Sequence, residues 1–133
     1  MFTIEQIKQA HSKVKSGADF PAYVQDMKLL GVTSYEHYVG DGHIEYKGKD
    51  GFSISADPKW QPRQIAAEGN VDGLKHALKI HQQGQTDYMT FCKQSAEAGV
   101  NVWIVDMVKM TCIYYDKAGN EMVVETIPEP GKT

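Results

Sequence analysis

The stretch from His81 to Tyr115, HQQGQTDYMTFCKQSAEAGVNVWIVDMVKMTCIYY, constrains the fold more than any other part of the chain. It holds a helix end, a Gly turn, a second helix, a Gly stop and a β-rich run. Just upstream, Val71, Leu74, Leu78 and His81 are spaced three, four and three, which places them on one stripe of a helix capped by Asn70. Gly84 ends that helix and Thr86 reads as the cap of the next. The inward face of this second helix is Tyr88, Phe91, Cys92 and Ser95, and Gly99 stops it. So short a turn makes the two helices antiparallel.

Val100 to Tyr115 reads as one long strand, and the turn DKAGN joins it to EMVVETI. With Gly119 left-handed, Tyr114 faces Met122 and Cys112 faces Val124. That partner covers only the second half of the strand. Residues 101–108 need another neighbour, either the upstream sheet or a second subunit, because a bare edge of that length invites association.

The N-terminal part follows the same logic. Thr3 and Gln6 form a capping box, Ile4, Ile7, Ala10, His11 and Val14 make the apolar stripe behind it, and Gly17 is the stop. Asp19 and Pro21 open a second helix with Tyr23, Met27 and Leu30 on one face and Gly31 after its end. VTSYEHYVGDGHIEYKGKDGFSIS is a β-meander. A two-residue turn at Asp41-Gly42 sets Val39 against Ile44 and His37 against Tyr46, and gathers Tyr35, His37, Val39, Ile44 and Tyr46 on the apolar face. A three-residue loop at Lys49-Asp50-Gly51 keeps Phe52 and Ile54 on that face. Residues 55–68 are an irregular crossing, with Trp60 lidding one end of the core.

The expected architecture is a single α+β domain over residues 1–133. Its element order is αα-βββ-αα-ββ, an antiparallel sheet (a three-stranded meander plus a long C-terminal hairpin) with two helical hairpins. No internal repeat or linker is visible. Fourteen basic residues against seventeen acidic ones give a formal charge of −3, which argues against nucleic acid as a partner. The N-terminus lacks a signal-like apolar core and no apolar run spans a bilayer, so no membrane is expected. Two cysteines make no disulfide framework, and a reducing cytoplasm is the simplest setting.

Few residues invite chemistry. Cys92 and Cys112 read as small buried hydrophobes. His81 is the natural base for Cys92, yet the antiparallel pairing sets it opposite Tyr88, with Cys92 roughly 6 Å further along the axis. His37 lies on an apolar face and reads as a hydrogen-bonded core residue. Asp106 interrupts WIVDMV; it is either an exposed alternating position or a buried carboxylate marking a cleft. No pair of histidines has helical metal-site spacing and no metal is expected; the candidate ligands Asp41, His43 and Asp106 would have to be brought together from distant segments. The seven tyrosines form a core whose hydroxyls reach the rim, or else line a pocket. No dinucleotide, Walker or nucleophile-elbow motif is present, and no cofactor is expected.

Three blocks carry a resemblance: LGVTSYEHYVGDGHIEYKGKDG, HQQGQTDYMTFCKQSAEAGV, and VDMVKMTCIYYDKAGNE with ETIPEP. Together they resemble the YbcV-like family, small bacterial proteins of unknown function often labelled "phage envelope protein". The resemblance runs nearly the full length. It implies prophage association and carries over no activity and no catalytic residue.

The expectation is therefore a binding or interaction module forming a homodimer. The alternatives are a small-molecule enzyme, with a pocket between the meander and the second helical hairpin built from His37, Tyr46, His81, Cys92 and Asp106, and a phage structural protein.

Overall fold

A computed structural model describes residues 2–14 and 19–127. The elements, in order, are α1 (Ile4–His11), α2 (Phe20–Leu30), β1 (Val32–Tyr38), β2 (Ile44–Gly48), β3 (Ser53–Ala56), α3 (Val71–Gln82), α4 (Tyr88–Glu97), β4 (Val102–Asp106), β5 (Thr111–Tyr115) and β6 (Glu121–Thr126). The six strands form one antiparallel sheet in the order β3-β2-β1-β4-β5-β6. The fold class is mixed α+β, as expected. Gly17, read as the stop of α1, lies outside the described residues.

Local signals explain most boundaries. Thr3 and Gln6 complete the capping box of α1. Asn70 caps α3 by accepting from the Gly73 amide. Gly31 takes the left-handed position after α2. The cap of α4 is Asp87 rather than Thr86: the Asp87 carboxylate reaches the Thr90 amide at 2.8 Å, while Thr86 is engaged by His81.

One face of the sheet carries Tyr35, His37, Ile44, Tyr46, Trp103, Val105, Cys112 and Tyr114, all buried. The helices lie over it, α1 against β3, α2 against β1, α3 against β6, and α4 beside α3. The β1–β2 loop is longer than two residues. Tyr38 pairs with His43 around a four-residue loop, and His37 faces Ile44 while Tyr35 faces Tyr46. A two-residue type I′ turn needs two left-handed residues, and only Gly42 is left-handed here. The slip is even, so the apolar face keeps its members. The Lys49-Asp50-Gly51 loop is three residues long, with Ile54 opposite Tyr46 as read.

The largest difference lies in residues 100–115. This run is a hairpin, β4 and β5, turned at Met107–Met110. The turn has no Gly or Pro. Met110 itself adopts φ 55°, and the Asp106 carboxylate caps the turn by accepting from the Val108 amide at 2.9 Å and the Lys109 amide at 3.0 Å. β1 pairs with β4 from Ser34–Asp106 to Tyr38–Val102, so of the two neighbours offered for residues 101–108 it is the upstream sheet that takes the place.

With that hairpin the order becomes αα-βββ-αα-βββ, two copies of one unit. The two units meet at β1–β4, around the pair Glu36–Ile104. Gly31 and Gly99, like Gly51 and Gly119, stand 68 positions apart and are left-handed in both units. Gly42 and Met110 keep the same offset and conformation. Tyr46 and Tyr114, and Tyr35 and Trp103, are equivalent core positions. An internal repeat is therefore present that no run of identical residues betrays.

The second unit breaks the symmetry once. Tyr115 pairs with Glu121 as the turn dictates, but a bulge at Met122 shifts the register so that Tyr114 faces Val123 and Cys112 faces Glu125. Val124, expected against Cys112, points outward and is 56% exposed.

Asp106 thus has a structural role open to test. Asp106→Ala removes the acceptor for both turn amides and costs about 1 kcal/mol of stability, the usual worth of such a cap. Asp106→Asn keeps an acceptor and stays closer to wild type. Urea unfolding of the two variants measures this, and equal midpoints for Asp106→Ala and wild type refute it.

Candidate functional site

Between the buried sheet face and the four helices lies a cavity of about 440 Å³, a size typical of small-molecule sites. The sheet supplies its floor with Tyr35, His37, Tyr46, Trp103, Cys112 and Tyr114. The helices supply the roof with Ile7, His11, Tyr23, Leu78, Tyr88 and Phe91. Lys8, Lys59, His81, Gln82, Asp87 and Glu125 also line it, as does Ala56. Because the two units are equivalent, the lining comes in pairs across the β1–β4 junction. Tyr46 answers Tyr114, Tyr35 answers Trp103, and Tyr23 answers Phe91. His11 packs edge-on to Tyr23 at 5.2 Å while His81 stacks on Phe91 at 4.6 Å.

His37 sits at the centre. Its ring stacks on Trp103 at 3.9 Å and meets Tyr88 edge-on at 5.6 Å. Its Nε2 shares a hydrogen bond with the Tyr88 hydroxyl. Its Nδ1 has no partner among the described residues, although only 1% of the residue is exposed. Whichever tautomer is present, that nitrogen has an unmet donor or acceptor. Burial, reinforced by the Lys59 charge, pushes the imidazole down to about 3, so it is neutral at neutral pH.

The hydroxyls and thiols of the wall are uncharged too. Burial raises the Tyr46 hydroxyl to about 12 and carries those of Tyr23, Tyr35, Tyr88 and Tyr114 upward too. Burial likewise lifts both thiols to about 12, against the weaker pull of Tyr88 on Cys92 and of Tyr114 on Cys112. A thiol that stays protonated in a buried position is a poor nucleophile. His11 and His81 are lowered by burial.

Of the residues singled out from the sequence, His37, Tyr46 and His81 line the cavity together. Cys92 is fully buried behind Tyr88 and is not part of the lining. His81 does not form a dyad with it; its Nδ1 donates to the Thr86 carbonyl at 3.0 Å and pins the α3–α4 turn. Asp106 lies on the outer face of the sheet, in the turn it caps. Asp41 and His43 pair with each other at 2.6 Å, and His43 stacks on Tyr38. Asp106 stands opposite Ser34, four residues along β1 from Tyr38 and on its other side, so it is more than roughly 13 Å away from that pair. Among the described residues no group of three or more His, Cys, Asp or Glu side chains could hold a metal ion.

Sequence reasoning did not name His11, Lys59 and Glu125 as site residues, and it left Tyr23, Tyr35, Tyr88 and Tyr114 between core and pocket lining. These tyrosines are core in burial and lining in position.

His37 makes folding sensitive to acid. The unfolded chain takes up a proton near the usual 6.5, and the folded chain does not until about 3. Its contribution is therefore intact above 6.5 and lost as the pH falls, by at most about 1.4 kcal/mol per pH unit. His37→Gln flattens the fall between pH 6.5 and 4.5 when stability is followed by urea unfolding. Parallel profiles for the two proteins refute the assignment.

No helix among the described residues is long and apolar enough to cross a membrane. No curated protein matches the chain. A family model described as a protein of unknown function (DUF1398) matches residues 8–126, which is most of the chain, and the protein belongs to that family.

Proposed function

We propose that the protein is a small-molecule binding module whose ligand occupies the cavity between the sheet and the helices. The observation that carries this reading is the cavity itself: about 440 Å³, walled by apolar and aromatic side chains and ringed by neutral tyrosine hydroxyls. A mostly apolar pocket with a few convergent polar groups is the common form of a ligand site. Binding is favoured over catalysis because both thiols are protonated and buried and the central imidazole is neutral. Acyl transfer through a thiol would need an activated cysteine, and among the described residues neither Cys92 nor Cys112 is one.

The test is direct. The neutral probe 4-phenylbutan-1-ol, in hundredfold excess over its dissociation constant, raises the melting temperature by roughly 4 °C or more. It also changes the emission of Trp103 in the cavity floor. Ala56→Phe fills the space from β3 and abolishes both effects. Unchanged melting and emission with this probe and with shorter aromatic alcohols would sink the reading.

Self-association belongs to the same proposal through a different surface. The outer sheet face sets Ile104, Ile113 and Val124 side by side in register, none of them buried. A second copy laid on that row would cover it. In this reading the protein is a bacterial, cytoplasmic homodimer, kin to the YbcV-like proteins, and the phage label brings no activity with it. Sedimentation velocity separates the options. A dimer that Ile113→Lys turns into a monomer supports the proposal, a monomeric wild type removes it, and large regular particles turn the reading toward a phage structural protein.

A further inference from the structure

The cavity is polarised from end to end. The sheet order puts β3 and β6 at opposite edges, five strand spacings or roughly 24 Å apart. Lys59 follows β3, and Lys8 and His11 lie on α1, which packs against β3; all three are in the lining. Glu125 is on β6. It accepts from Gln82 at 2.9 Å and from the Tyr114 hydroxyl at 3.5 Å. Ala56 and Glu125 are equivalent positions of the two units, opposite Ile44 and Cys112, so one unit brings a methyl where the other brings a carboxylate.

The cationic end has no directly paired carboxylate among the described residues, although burial lowers the Lys59 ammonium and Asp41 acts on it through space. Among the described residues neither Lys8 nor Lys59 has a carboxylate within 4 Å. The Lys59 ammonium donates to the Gly42 carbonyl at 2.8 Å and keeps two further donors. Asp41, the acid of that loop, is engaged by the His43 amide and ring. The charge of Lys59 is felt at both His11 and His37. Between the two ends run the His37–Trp103 stack and the tyrosine hydroxyls, with the His37 Nδ1 unpartnered.

We infer that the ligand is an organic monoanion, a carboxylate on an aromatic or apolar body, with its head toward Lys59 and Lys8 and its body over the His37–Trp103 stack toward Tyr114. This rests on the binding reading above and adds the charge of the ligand to it. A cation is repelled at the lysine end. A second anionic group is repelled at Glu125, so a dicarboxylate of the same span is excluded.

Calorimetric titration with three probes of one shape tests this: 4-phenylbutanoate, 4-phenylbutan-1-ol and 4-phenylbutylamine. The acid binds the wild type roughly tenfold or more tighter than the alcohol, as a hydrogen bond to a charged group implies, and the amine binds weakest. Lys59→Met collapses the ratio of acid to alcohol affinity toward one. Equal affinities for acid and alcohol, or an amine that binds tightest, overturn the charge assignment while cavity binding stands. An acid preference that survives Lys8→Met and Lys59→Met together overturns the placement of the head. No binding by any of the three overturns both this inference and the reading beneath it.

Discussion

The antiparallel pairing of β1 with β4 is the constraint on which the rest of the structure depends. Each αα-βββ unit ends its sheet on that strand, and each alone would present it as a bare edge with one face buried and no neighbour. Joining them satisfies both edges at once and makes a six-stranded sheet with β3 and β6 at its margins. The joint also decides where the helices go. Each helical pair packs on its own unit, so the roof is built in two halves that converge above His37 and Trp103, the residues paired across the joint. The cavity is the space the two halves leave between them.

That space is held open by the chemistry of its wall. Phenol rings bury a large apolar area, but each carries a hydroxyl that must find a partner or water. Five tyrosines line that one volume, and neighbouring phenol, imidazole and carboxylate groups partner the hydroxyls of Tyr23, Tyr46, Tyr88 and Tyr114. A site that is aromatic along its walls and neutral in its polar groups distinguishes ligands mainly by the charges at its ends. There the two units differ most.

The fold class was readable because caps and glycines act locally. Thr3 with Gln6, Asn70, Gly31 and Gly99 mark helix ends whatever the tertiary context. The β4–β5 turn was not readable for the same reason in reverse: its left-handed residue is Met110, and its cap is an Asp that also reads as a strand position. In the first unit the equivalent residue is Gly42, where the Trp60 ring lies so close that a Cβ would meet it at 2.9 Å. Local packing thus demands glycine in one loop and not in the other. The repeat was hidden because its most diagnostic turn residue differs between the copies. Within the site, His37, Tyr46 and His81 were legible as polar groups on apolar stripes. Lys59 was not, since it sits in an irregular crossing with no period to place it.

Glu125 was illegible for a sharper reason. In an unbulged hairpin its side chain would point to the outer face and Val124 would fill the wall beside Cys112, giving a sealed apolar end. One extra residue at Met122, whose side chain packs over Gly69, reverses the two. Because strand side chains alternate, that single insertion exchanges every facing residue beyond it. It brings a carboxylate onto the cavity face of the second unit where the first has Ala56. The same insertion leaves Val124 exposed beside Ile113 and so creates the apolar row on the outer surface. The charge asymmetry of the interior and the exposed apolar row thus have one origin, a bulge that no periodicity in EMVVET announces.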